Sequence, residues 1–229
     1  MSLLTAIDNN ISNDLNNFTT IISKRSIKNL HNRDKSYRIK HGKIVEKHII
    51  FFLKNLGLDV YESSEYDDIH NKIDMYLKLK DIPNRLTCQI KVRFKNDDPI
   101  VETMRNININ QLLKKDATTL LNGRDVTKPI DIYIVATRLK LFIIETKNLK
   151  DISIKNSIKL INEFKKFKNG KKNIDEITIC RSKRGVMKLY NNDGITILLN
   201  DGKNYKINFF ANVSNIECIT INEQIFNYV

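Results

Sequence analysis

The chain has 229 residues, 41% of them hydrophobic and 28% charged, with only 7 Gly and 3 Pro. That is enough chain and enough apolar side chain to bury a real core, and the composition is globular, so no long disordered linker is expected. Lys+Arg 39 against Asp+Glu 26 leaves a net charge of +13, so the surface attracts phosphates and nucleic acid leads the partner classes.

Residues 1–32 carry short apolar groups at helical spacing, which predicts one or two helices. From Asp34, an N-cap residue, to Gly57, a C′ stop, the segment reads as one long helix with Val45, Ile49, Phe52, Leu53 and Leu56 on its buried stripe. Three strands are expected next, in LDVYESSE, IDMYLKLK and RLTCQIKVRF, with DIPN as the turn between the last two. After Pro99 the chain is expected to turn helical, most clearly in NINQLLKKDATTLLNG. Two further strands follow, DIYIVATRL and KLFIIETKNL. Beyond them ISIKNSIKLINEFKKFKNG reads as a basic amphipathic helix. The runs EITICRS, GVMKLY, GITILLN, NYKINFF and IECITI read as strands, joined in hairpins through NNDG and NDGK. The expected organisation is an N-terminal helical segment over 1–33, a mixed α/β core over 34–150, and a basic helix with a β-rich extension over 151–229.

The stretch CQIKVRF, residues 88–94, alternates. Gln89, Lys91 and Arg93 fall on one face and Cys88, Ile90, Val92 and Phe94 on the other. An edge strand with one wet face explains this pattern. Two upstream acids give the polar face a second explanation. Asp74 sits on the preceding strand with Ile73 and Met75 pointing the other way, and Glu46 borders the buried stripe of the long helix. Asp74, Gln89 and Glu46 would offer oxygen ligands to a hard cation such as Mg²⁺, which takes carboxylates, amide oxygens and water. Phosphodiester hydrolysis uses such a set: the cation polarises the phosphate and activates water, and a lysine stabilises the attacking hydroxide or the developing charge.

A helix carrying Glu46, a strand carrying Asp74 and then Gln89-Ile90-Lys91 resembles, in that order, the PD-(D/E)XK nuclease superfamily. The Gln-x-Lys form is similar to its Mrr-type branch of restriction endonucleases. The resemblance covers about residues 40–147. It implies a restriction-endonuclease-like αβββαβ core with a mixed central sheet and Mg²⁺-dependent DNA cleavage, of restriction, junction-resolving or DNA-processing type, with Mn²⁺ able to substitute. Glu46, Asp74, Gln89 and the carbonyl of Ile90 would hold the metal, and Lys91 would act on the attacking water. Ile73 stands where the family has proline and Gln89 where it has an acid, so one negative charge is missing. A homodimer is compatible with such an enzyme, since a double-strand cut suits a two-fold pair.

Pro129-Ile130-Asp131 with Glu145-Thr146-Lys147 forms a rival set that matches the consensus letters better. Its strands are nearly continuous apolar runs, and no glutamate-bearing helix precedes them in the required place. Asp131 opening a strand and Glu145 beside a lysine also have ordinary structural explanations. Glu62, Glu65, Asp67 and Asp68 form an acidic turn, which supplies either an extra ligand or a solvated loop. His41, His48 and His70 lack metal-ligand spacing with a cysteine and fit a surface or core-edge place.

Positive charge concentrates in 20–43 and 165–188, where it would grip a nucleic-acid backbone or form solvated faces. Codon usage in an AT-rich genome also produces a lysine-rich chain, so an interaction protein with incidental charge stays open. So does a catalytically inactive nucleic-acid-binding module on a nuclease-like scaffold, for which Gln89 is the motive. Cys88, Cys180 and Cys218 show no CxxC spacing and read as reduced thiols of an intracellular protein, cytoplasmic in a prokaryotic host. The N-terminus has no signal-peptide pattern, and no run approaches the roughly 18 apolar residues of a membrane span, so no membrane partner is expected.

Overall fold

The computed structural model describes residues 2–11, 20–22, 34–93, 99–108, 130–149, 177–181, 187–191, 195–199, 206–221 and 226–228. The chain divides into two packing units. One comprises residues 1–99, 130–146 and 218–229, and the other 100–129 and 147–217. The units interleave along the chain, whereas the sequence reading draws boundaries at 33 and 150.

The first unit is built on a helix and a sheet. A short helix, α1, spans Leu3–Asp8, and strand β1, Thr20–Ile22, pairs in parallel with β13, Phe226–Tyr228. The strand replaces part of the helical content expected in 1–32. The long helix, α2, spans Lys35–Asn55. Asp34 starts it, its carboxylate accepting the Ser36 amide at 2.8 Å, which satisfies one of the orphan N–H groups of a helix start.

At the other end of α2, Gly57 adopts φ 85°. The Gly57 amide then bonds the Lys54 carbonyl and the Leu58 amide bonds the Leu53 carbonyl. Those two bonds close a Schellman motif, which needs a residue free to enter the left-handed region.

The six-stranded sheet has the order β12-β7-β6-β4-β3-β2, where β2 is Asp59–Glu62, β3 Met75–Lys78, β4 Leu86–Val92, β6 Ile132–Ala136, β7 Leu141–Glu145 and β12 Ile219–Ile221. Its pairs are antiparallel except β4 with β6, which run parallel with Ile90 opposite Ile134. A parallel pair needs a crossover, and the chain leaves the unit between residues 99 and 130 to make it. Val45, Ile49, Phe52 and Leu53 of α2 share a buried core with Met75, Leu77, Cys88, Ile90, Ile132, Ile134, Leu141 and Ile143. Period-two alternation on the strands meets the helical stripe here.

The second unit is an antiparallel sheet of order β5-β11-β10-β9-β8. Its strands are β5, Ile100–Asn108, β8, Ile177–Arg181, β9, Met187–Asn191, β10, Ile195–Leu199, and β11, Lys206–Asn212. The four C-terminal strands follow one another as hairpins. Residues 100–108 correct the helix expected after Pro99: Ile100, Val101, Thr103 and Ile107 are β-branched, and the segment pairs with β11 across a bulge. The rest of that expected helix, 109–123, and the basic helix 151–170 lie outside the described residues. The fold is thus mixed α/β, with a mostly antiparallel six-stranded sheet.

Candidate active site

Helical spacing places Lys43, Glu46, Lys47 and Ile50 on one side of α2, at i, i+3, i+4 and i+7. All four line a cleft of about 260 Å³, whose other wall includes Ser63, Asp68 and Asp74.

Asp74 reaches this cleft because the sheet ladder stops there. Lys72 turns the chain through the left-handed region at φ 60°, and regular β3 begins only at Met75. Between them the Asp74 amide donates to the Cys88 carbonyl at 2.9 Å. The Asp74 carboxylate accepts the Ile90 amide at 2.6 Å, standing in for a strand carbonyl. Ser63 holds the segment from the other side, its hydroxyl donating to the Asp74 carbonyl at 3.1 Å. The carboxylate is therefore fixed by backbone.

Burial first, and then the charges of Asp74 and Asp68, push the Glu46 carboxyl up to about 7 against the opposing charges of Lys91 and Lys43. Burial also raises Asp74, opposed by the Ile90 amide and by Lys91. Two partly desolvated carboxyls are thus close enough to repel, and the nearby positive charge does not offset them fully. A divalent cation between them would remove that repulsion. Mg²⁺ fits two carboxylates because it keeps several waters and takes phosphate oxygens as further ligands. Among the described residues no three His, Cys, Asp or Glu side chains are grouped to hold a metal ion, so further ligands would be amide, backbone or water oxygens.

Glu46, Asp74 and Lys91 are within electrostatic reach of one another. Lys91 is half-buried on β4, in register with Val135. Gln89 is half-buried on the same strand, in register with Tyr133, and neither Gln89 nor Lys91 lines the cleft. The Ile90 side chain is in the core.

The rival set is built differently. The Asp131 carboxylate accepts the Thr87 amide at 2.8 Å and the Thr87 hydroxyl at 2.9 Å. The Asp131 amide donates back to the Thr87 carbonyl at 3.0 Å. Asp131 thereby locks the first rungs of β4 and β6, about 13 Å along β4 from Lys91 at the strand rise. Glu145 ends β7 opposite Ile132, Lys147 is exposed in the helical turn 146–149, and Pro129 lies outside the described residues.

The acidic segment YESSEYDD continues as a helical turn over Asp67–Asn71, started by Ser64, whose hydroxyl accepts the Asp67 amide at 3.1 Å. Within it Asp68 forms an ion pair with Lys43 of α2. Local sequence does not announce this pair, since Lys43 falls in a basic cluster and Asp68 in an acidic turn. The available signal was that Lys43 precedes Glu46 by three residues, on the same side of the helix. His70 packs on Tyr66 at 4.7 Å, His41 stacks on Tyr37 at 6.4 Å, and burial lowers His48. Cys88 is a buried thiol that burial pushes upward, and the Cys218 thiol lies 3.5 Å from the Thr220 hydroxyl. Among the described residues no helix is long and apolar enough to cross a membrane. Of the basic clusters, 34–40 are exposed at the start of α2.

Compared with protein-family models, curated proteins and solved structures, the chain matches none.

Proposed function

We propose that the chain is a metal-dependent DNA endonuclease that hydrolyses phosphodiester bonds. Glu46 and Asp74 hold Mg²⁺, the side-chain oxygen of Gln89 and the carbonyl of Ile90 complete its oxygen ligands, and Lys91 acts on the attacking water. The observation that carries this reading is that two partly buried carboxyls, one from α2 and one from the residue just before β3, are close enough to repel, with Lys91 in reach. Bound Mg²⁺ polarises the phosphate and activates water. The chain's own part is positional: the Ile90 amide aims Asp74, the α2 stripe holds Glu46 at the sheet border, and Lys91 offsets negative charge that develops in the transition state. The order α2, β2, β3, β4 and β6 also supports a restriction-endonuclease-like core. DNA is the substrate that the net charge of +13 favours, and a two-fold homodimer is the arrangement a double-strand cut would use.

Incubation of supercoiled plasmid and branched DNA with the protein and Mg²⁺ or Mn²⁺ tests this reading. The parent is expected to nick or linearise DNA only with metal, and Asp74→Ala and Lys91→Ala to lose at least about 100-fold in rate. Equal cutting by either variant would reject the assignment.

Gln89 favours a second reading, a catalytically inactive nucleic-acid-binding module on the same scaffold, because the set has one charge fewer than the nuclease pattern. Salt-sensitive duplex binding without cleavage at any metal concentration is its signature.

A further inference from the structure

The ion pair between Lys43 and Asp68 joins α2 to the helical turn that follows β2, across the cleft that Glu46 and Asp74 also line. Its exposure is unequal: the Lys43 side chain is 48% exposed and that of Asp68 28%. Lys43 has a long flexible stem and can turn toward solvent, whereas Asp68 is anchored in the short turn beside Asp67, which Ser64 and Asn71 hold. The ammonium is therefore the mobile partner. One helical turn further along α2, Lys47 is exposed and lines the same cleft, so two cations flank Glu46 on the helix.

An exposed ion pair is weak, worth well under a phosphate contact made with charge-assisted hydrogen bonds. A phosphate entering the cleft would meet Glu46, Glu62, Glu65, Asp68 and Asp74 as repelling charges, with Lys43 and Lys47 the cations of the lining. Lys43 is placed to offset that repulsion, provided that it leaves Asp68.

We propose that Lys43 is the cleft's phosphate-binding cation for the nucleic-acid backbone, and that Asp68 holds it in reserve until a phosphate displaces the carboxylate. This deepens the endonuclease reading and rests on it for the identity of the ligand. No bond is made or broken, since the step exchanges one anionic partner of the ammonium for another. Asp68 acts through Lys43 and is a positioning residue.

The test is a double-mutant cycle read by fluorescence anisotropy, with a labelled 30-nucleotide duplex in EDTA at fixed low salt, where cleavage plays no part. Lys43→Gln is expected to weaken duplex binding severalfold. Asp68→Asn is expected to tighten it about two- to fivefold, the factor an exposed ion pair can withhold. The Asp68→Asn gain must vanish in the Lys43→Gln background, because without the ammonium there is nothing to release. A gain that survives there is a general charge effect and overturns the proposal, as does an Asp68→Asn variant that binds no tighter than the parent. Circular dichroism melts confirm that each variant is folded. Should Asp68→Asn unfold the chain, Asp68→Ser carries the same arm of the cycle. A parent that binds no duplex overturns the proposal too. A parent that completes the expected cycle yet never cleaves retains the proposal and sinks only the nuclease reading.

Discussion

The Asp74 carboxylate accepts the Ile90 amide at 2.6 Å, so the acid that faces the cleft is also the piece that terminates the β3–β4 ladder. One side chain thus has a structural and a chemical task, and the two separate by substitution. Asp74→Asn keeps an oxygen for the Ile90 amide and sheds a partly buried charge. Thermal and urea melts are expected to find it at least as stable as the parent. Asp74→Ala leaves that amide without its acceptor and is expected to lose about 1–3 kcal/mol. If Asp74→Asn proves as destabilised as Asp74→Ala, the carboxylate's bond to Ile90 is not what holds the ladder end.

Glu46 makes stability depend on pH. Its carboxyl, ordinarily at 4.5, rises to about 7 in the fold, so between those values the native chain keeps a proton that the unfolded chain has lost. Stability from this group is complete below about pH 4.5, falls as pH rises to about 7, and is flat above; the raised Asp74 carboxyl adds to the same trend. Glu46→Gln is expected to flatten this slope and to exceed the parent at pH 8 by up to about 3 kcal/mol. Metal affinity runs the other way, strengthening up to about pH 7 as the carboxyl ionises. Denaturant melts at pH 5, 6, 7 and 8 check the first trend, and a parent curve that rises with pH across this window would contradict it.

Asp131 serves the sheet. Its carboxylate holds both the amide and the hydroxyl of Thr87, so Asp131→Ala is expected to destabilise by about 1–3 kcal/mol while the folded fraction cleaves DNA at the parent rate. Cleavage lost in a folded Asp131→Ala chain would transfer the site to the rival set.

Gln89 stands where a carboxylate would add a charge toward the cation. Gln89→Glu is expected to lower the Mg²⁺ concentration for half-maximal cleavage by about tenfold, roughly 1.4 kcal/mol of added attraction. An unchanged metal requirement would place Gln89 outside the cation's reach and remove it from the ligand set.

How legible these features were depends on how local their causes are. Asp34 and Gly57 mark both ends of α2 within the segment itself, and alternation in residues 75–78 and 86–92 announces two strands. Strand Ile100–Asn108 reads locally as helix, because its partner β11 lies about a hundred residues later and pairing with it outweighs a mixed local preference. Glu46 and Asp74 were accessible through their place beside apolar stripes. The Thr87–Asp131 clamp and the Lys43–Asp68 pair were not, since their partners are 44 and 25 residues apart and no periodicity links them.

The central claim is that Glu46 and Asp74 together hold a divalent ion, and a calorimetric titration of Mn²⁺ at pH 8 tests it most directly. The parent is expected to bind one ion per chain, and a folded Glu46→Gln, Asp74→Asn double variant to bind none over the same range. Equal binding by the double variant, or no binding by the parent, would contradict the account.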